Sequence, residues 1–305
     1  MSSEPISVRV GRHRLRMSNL EKVIYPASGF TKGEVIDYYS RVAPVLLPHL
    51  KDRPLTLKRF PHGVEGGFFY AKNVPAGAPA WVRTAKLPSP GSSKNRDEVE
   101  YVLADELATL VWTANLAALE LHAPMWRLDA KGKPAPPDLM VFDLDPGAPA
   151  TIVECCRVAE IIRQLLADDG FDVLPKTSGS KGLQLYVPLR PERPWKDVHL
   201  YARRLAEGLE REHPALIVSN MRKALRAGKV LVDWSQNNAA KTTIAVYSLR
   251  ARERPTVSTP LNWSEVEGCR RPDDLVFIAG DVLERIEREG DLFAPALRPA
   301  RSLAA

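Results

Sequence analysis

The chain has 305 residues, 45% hydrophobic and 26% charged, a composition that excludes disordered and fibrous proteins and suits a large α/β or α+β unit with a substantial core. Lys and Arg exceed Asp and Glu by 43 to 37, so an anionic partner is expected but a histone-like tail is excluded. Cys155, Cys156 and Cys269 form neither a disulfide framework nor a C-x-x-C metal pattern, and no run approaches the ~18 apolar residues of a membrane span, so a soluble, cytoplasmic protein is expected.

Alternation of Ile6, Val8 and Val10 predicts a short strand. Ser18-x-x-Glu21 and Thr31-x-x-Glu34 have capping-box spacing, and each is expected to open a helix. The second helix carries Ile36, Tyr39, Val42 and Leu46 on one face and ends before Lys51-Asp52-Arg53-Pro54. Leu55 to Lys58 alternates as a strand and leads to a glycine-flanked aromatic cluster, Phe68-Phe69-Tyr70. Residues 74 to 97, rich in Pro, Gly and Ser, predict a loop or seam. An apolar helix is expected over 104–119 and a turn at Lys131-Gly132-Lys133-Pro134. Leu139-Met140-Val141-Phe142 is the kind of run buried on both faces of a sheet. Thr151-x-x-Glu154 should open a helix that Gly170 closes. Strands over 171–176 and 183–189 flank a Gly/Ser loop, and a helix over 195–212 turns Val198, Tyr201, Leu205 and Leu209 inward. Strands at 229–234 and 243–248 and a charged helix around 281–288 complete the chain. Helices and strands intermix without a repeat, which indicates α/β or α+β architecture.

Two local patterns carry chemistry. In Phe142-Asp143-Leu144-Asp145-Pro146 the acids are two apart on a strand, so both carboxylates leave one face, from Cα atoms about 6.6 Å apart. They either hold a hard divalent cation or cap the turn at Pro146-Gly147. A third acid following an apolar strand is Asp233. Thr177-Ser178-Gly179-Ser180-Lys181-Gly182, between two predicted strands, either cradles a polyphosphate with amides, hydroxyls and an ammonium or is a hairpin turn. It is not a Walker A loop, because G-x-x-x-x-G-K-[ST] is absent and a strand follows.

Asp143-Leu144-Asp145-Pro146, the Ser178–Gly182 loop, VLVDWSQN at 230–237, AKTT at 240–243 and YSLRAR at 247–252 occur in that order. Together they resemble the polymerase domain of bacterial ligase D, of the archaeo-eukaryotic primase type, from about residue 10 to about residue 290. The resemblance implies a primase-polymerase fold of central mixed sheets flanked by helices. It implies one catalytic domain over 1–305, with a part at about 10–100 that binds DNA and its 5′-phosphate and a catalytic part at about 101–290. The implied activity is template-directed transfer of ribo- or deoxyribonucleotides to primer 3′-ends at gaps or double-strand breaks. Asp143, Asp145 and Asp233 would hold two Mn²⁺ or Mg²⁺ ions. Ser178, Lys181, Arg226 and Lys241 or Arg250 would hold the triphosphate, and Gln236 would lie near the nucleotide. Lys22 and Lys32 would receive the 5′-phosphate, Phe68 and Phe69 would stack on a template base, and Lys58 and Arg59 would reach phosphate.

Read without the resemblance, those lysines are as well explained as solvated residues, the aromatics as core, and His122 as a satisfied core histidine. Gln184 departs from the pattern, since many relatives carry histidine there. Triphosphate binding should therefore rest more on Lys181 and Arg226, and Gln184→His should tighten it at acid pH. Partners implied are gapped or broken duplex DNA, NTP or dNTP, the end-binding protein Ku and a separate DNA ligase, in a nucleoid-associated setting. Two rivals remain. A haloacid-dehalogenase-type phosphatase also starts from an apolar strand ending in D-x-D and would need late acids, here Asp273-Asp274. A DNA-binding scaffold with a vestigial site is the other.

Overall fold

A computed structural model describes residues 4–88, 97–298 and 300–303. Its centre is a five-stranded mixed sheet in the order Leu174–Thr177, Leu183–Pro188, Leu139–Pro146, Val230–Asp233, Ile217–Val218, antiparallel except for the last pair. Strand alternation explains how the sheet is used. Met140, Phe142 and Leu144, with Leu183, Leu185, Val187, Val230 and Val232, face helices Ile152–Asp168 and Trp195–Glu212 and form one core. Leu139, Val141 and Tyr186 point the other way into a second core, and further along that same face Asp143 and Asp145 emerge.

The second core lies over an antiparallel sheet in the order Thr243–Ile244, Ala118–Ala123, Thr56–Arg59, Phe69–Ala71. Helix Lys32–Leu50 buries Ile36, Tyr39, Val42 and Leu46 there, as its spacing predicts. Val246, Tyr247, Leu249, Val282, Leu283 and Phe293 join the same core, so the N-terminal part is built from both ends of the chain and the division near residue 100 does not separate two cores. Thr31 and Thr151 make the predicted reciprocal caps with Glu34 and Glu154, and Gly170 closes the second helix at φ 78.

Some expectations are corrected. Ser18-x-x-Glu21 opens a turn, not a helix: Asn19 has φ 54, Lys22 N bonds Asn19 O at 3.1 Å, and strand Val23–Tyr25 follows at once. The helix expected over 104–119 spans Leu107–Asn115, because Ala117 turns left-handed at φ 55 and Ala118–Ala123 becomes a strand. Within the expected loop at 74–97 the chain forms Thr84–Pro88, paired with Glu98–Val102, while 89–96 lie outside the described residues. The strands expected at 171–176 and 243–248 shorten to Leu174–Thr177 and Thr243–Ile244. On the Trp195–Glu212 helix Ala202 and Ala206, with Val198 and Leu209, are the buried residues, and Tyr201 and Leu205 sit at the margin.

Candidate active site

Register assembles the centre. Asp143 stands opposite Gln184 on one neighbouring strand and Asp233 on the other, and Gln184 stands opposite Lys176 on the next. Lys176, Gln184, Asp143 and Asp233 thus form one row across four strands, with Asp145 two residues further along the central strand. Burial pushes the Asp143 carboxyl up to about 6, against the hydrogen bond it accepts from Gln184 Nε2 at 3.1 Å and aided by repulsion from Asp233.

Each acid is oriented by neighbours. Asp233 Oδ1 accepts from Ser235 N at 2.9 Å and Oγ at 2.6 Å, and Oδ2 accepts from Gln236 Nε2 at 2.8 Å. That turn is clipped to the central strand by buried Asn237, whose amide exchanges bonds with Val141 N and O at 2.8 and 2.7 Å. Asp145 pairs with Lys181 Nζ at 3.0 Å and Arg226 Nη1 at 3.3 Å. Arg226 is itself fixed through Nη2 to Met221 O at 2.6 Å, and its main chain passes so close to Gly147 that a Cβ there would lie 2.0 Å from Arg226 O.

In the Ser178–Gly182 loop, Ser178 Oγ accepts from Ser180 N and Gly182 N at 3.3 and 3.2 Å. Those two amides therefore hold the turn and are not offered to an anion. Gly179 has φ +67 with Val257 and Arg250 beside it, and a Cβ on Gly182 would meet Leu144 O at 2.2 Å. The glycines thus let the loop lie flat on the central strand, with Lys181 reaching Asp145 on it.

Ser178, Lys181, Gln184, Arg226, Gln236 and Arg250 share with the three aspartates a cleft of about 370 Å³, which His122 also lines. Lys241 is exposed and does not line the cleft; it donates from Nζ to Ser235 Oγ at 2.6 Å. On the neighbouring sheet buried Glu120 gathers an imidazole and two cations: His122 Nε2 at 3.0 Å, Lys58 Nζ at 3.4 Å and Arg250 Nε at 3.6 Å. These partners hold the Glu120 carboxyl down at about 2 despite its burial. His122 is lowered, by burial above all. Lys58 is thus an ion-pair partner beside the cleft.

Outside the lining of the cleft, Phe68 and Phe69 are 53% and 46% exposed. Lys58 Nζ lies 4.1 Å from the Phe68 ring centre, and the Arg59 guanidinium 5.0 Å from that of Phe69, so these aromatics form a surface platform and not core. Lys22 Nζ donates to Pro61 O at 2.6 Å and Lys32 Nζ to Ser18 O at 2.7 Å. Burial, with the nearby Lys22 charge, pulls the Lys32 ammonium down to about 8.

Among the described residues no three carboxylate, imidazole or thiolate groups converge closely enough to chelate an ion: each aspartate is turned to a protein donor. The donor set nonetheless fits a hard divalent cation. Three carboxylates share one face, and among the described residues Asp143 and Asp233 have no Lys or Arg within 4.0 Å to neutralise them. Asp273 and Asp274, the acids a phosphatase would need, sit in the turn Pro272–Leu275, where Asp274 pairs with Arg271 at 3.1 Å, and neither lines the cleft.

Sequence reasoning missed Lys176, Glu120 and Asn237. The available signal was a charge at a buried alternation: Lys176 in LPKT and Glu120 in ALELHA each interrupt an otherwise apolar strand.

The chain is similar to known proteins along nearly its whole length. Residues 31–293 match the family described as LigD, primase-polymerase domain. The chain is 43% identical over 282 residues to the multifunctional non-homologous end joining protein LigD of Mycolicibacterium smegmatis, covering 92% of this chain and 36% of that protein. It is 33% identical over 278 residues to the bifunctional non-homologous end joining protein LigD of Bacillus subtilis, covering 91% of this chain and 43% of that protein. The chain therefore spans little more than a third of the length of the first of these relatives. A solved structure of the polymerase domain from Mycobacterium tuberculosis ligase D in complex with DNA superposes with a TM-score of 0.88 at 42% identity, covering 94% of this chain and 99% of that one. A single-sheet carboxylate row, the loop that faces it and matches over nearly the whole length place the chain in the LigD primase-polymerase domain family.

Proposed function

We propose that the protein is a template-directed nucleotidyltransferase of DNA end joining, adding ribo- or deoxyribonucleotides to primer 3′-ends at gaps or double-strand breaks. The observation that carries this reading is the cleft itself, which gathers Asp143, Asp145 and Asp233 with Lys181, Arg226 and Arg250 in one space. Carboxylates alone would repel a triphosphate, and cations alone would merely bind it; together around about 370 Å³ they suit phosphoryl chemistry.

In this reading Lys181, Arg226 and Arg250 hold the triphosphate oxygens, and Ser178 offers its remaining O–H. Among the described residues the buried Nε–H of Arg226 lacks a hydrogen-bond acceptor, and Arg250 Nε reaches Glu120 only at 3.6 Å. The primer 3′-oxygen attacks the α-phosphorus in line, the bond to the bridging oxygen breaks, and pyrophosphate leaves. Two Mn²⁺ or Mg²⁺ ions held by the aspartates would acidify the primer hydroxyl and neutralise the departing charge. Lys241 and Gln236 keep the Asp233 turn in place. Lys22 and Lys32 receive the downstream 5′-phosphate, while Phe68 and Phe69 support a template base, because an aromatic face accepts any base. Ligation and end recognition belong to partners, a DNA ligase and Ku.

Extension of a labelled primer across a short gap tests this, with and without a 5′-phosphate on the downstream strand, comparing NTP with dNTP and Mn²⁺ with Mg²⁺. Metal-dependent incorporation of the complementary nucleotide, enhanced by the 5′-phosphate and several-fold better with NTP, is expected. Absence of incorporation with either metal and either nucleotide would refute the reading.

A further inference from the structure

Lys176 is fully buried, and it lies one strand behind the residue that departs from the family pattern. Its Nζ donates to Gln184 Oε1, to Ser258 Oγ at 2.6 Å and to Ile244 O at 3.2 Å. Two of these oxygens are carbonyls that can only accept, and Ser258 spends its one proton on Thr177 O at 2.8 Å. Three obligatory acceptors require three N–H donors, which an ammonium has and a neutral amine lacks. Burial pulls the Lys176 proton off, and this acceptor set holds it on.

The consequence falls on Gln184, whose Nε2 donates to Asp143 Oδ1. Rotating that amide by half a turn would set NH₂ against an ammonium and the carbonyl against a carboxylate, two repulsive contacts replacing two attractive ones. An amide is otherwise indifferent to which end faces a site, and here a cation on one side and an anion on the other remove the indifference. Gln184 has two N–H donors. One goes to Asp143; the side chain also lines the cleft with Lys181.

We propose that Lys176 is a positioning residue, locking the Gln184 amide so that its NH₂ end orients Asp143 and presents its second N–H to the triphosphate of the incoming nucleotide. This deepens the polymerase reading and rests on it. It also changes what a histidine at 184 would do: beside Lys176 one ring nitrogen must turn its lone pair to the ammonium, which leaves a single N–H for Asp143 or the nucleotide.

The test is equilibrium binding of an α,β-methylene NTP analogue, which cannot be transferred, to the full chain on gapped DNA with Mn²⁺, together with the melting temperature of each variant. Lys176→Met keeps length and packing but frees the amide, and binding is expected to weaken five- to tenfold. Gln184→Glu keeps an acceptor for Lys176 but deletes the donor, so binding should weaken at least tenfold with the melting temperature maintained. This second variant carries the test should Lys176→Met fail to fold. Lys176→Met/Gln184→His should return to within about twofold of wild type, since imidazole needs no acceptor behind it. Wild-type affinity in Lys176→Met or in Gln184→Glu, or a double variant as weak as Lys176→Met alone, would overturn the positioning role. Failure of the wild-type protein to bind the analogue or extend a primer would instead overturn the polymerase reading, and the role with it.

Discussion

In the cleft, Gln184 and Lys176 are buried and Asp143 is half-buried in one row, tied to one another, whereas Phe68 and Phe69 stand about half exposed and Lys22 and Lys32 are held by the main-chain oxygens of Pro61 and Ser18. Groups that must stabilise charge as a bond forms work best where water is excluded and orientation is set beforehand. Groups that grip a polymer need the reverse. A neutral carbonyl is a partner that a phosphate displaces readily, and an exposed ring is ready for any base. Under the proposed function the two regions would divide the work, bond making on the five-stranded sheet and docking on the N-terminal face.

Removing charge from the sheet should give the largest effect. Asp143→Asn is expected to lower incorporation by on the order of 10²–10³-fold or more, while fluorescence anisotropy reports an affinity for gapped DNA within about twofold of wild type. Parallel loss of both would erase the division. Next comes the scaffold beneath it. Asn237→Ala orphans the N–H and C=O of Val141 in the core, and urea unfolding should show a loss of about 2–4 kcal/mol, with incorporation falling because Ser235 and Gln236 release Asp233. An unchanged midpoint would show that the clip is dispensable.

The docking face should respond more gently. Phe68→Ala should cost about 1–3 kcal/mol of binding to a gap with an unpaired template base and almost nothing on fully paired duplex. Lys22→Ala and Lys32→Ala should each flatten the salt dependence of binding by roughly one unit, on 5′-phosphorylated gaps only. The smallest effect is on pH. Lys32, lowered to about 8, is charged below that pH and neutral above it, while the phosphate monoester, with its second pKa near ~6, keeps its charge throughout. The affinity ratio between phosphorylated and unphosphorylated gaps should thus shrink from pH 7 to pH 9, and in Lys32→Ala it should stay flat.

The same contrast explains what could be read in the sequence. The helix Trp195–Glu212 and the caps at Thr31 and Thr151 are local features, settled by residues within a few positions of one another. The D-x-D pair and Asp233 were legible because strand alternation and an apolar run place carboxylates on a predictable face. Ser18-x-x-Glu21 misled because the turn at Asn19 to Lys22 packs on the first turn of the long helix, with Gly33 N on Leu20 O at 2.8 Å. An Ala/Leu-rich run suits helix and strand alike, which is why 104–119 read as one helix. Lys176 and Glu120 stand out only as charges within buried strands, and their roles were not legible because their partners lie far away in sequence, Ser258 for one and Arg250 for the other.

Single-turnover incorporation at saturating gapped DNA, measured beside DNA affinity in Asp233→Ala and in the double variant Lys22→Ala/Lys32→Ala, tests the division of labour most directly. The account predicts that Asp233→Ala loses the rate and keeps the affinity, and that the lysine pair loses affinity for the 5′-phosphate and keeps the rate. An Asp233→Ala protein that incorporates at the wild-type rate, or a lysine variant whose rate stays depressed at saturation, would contradict it.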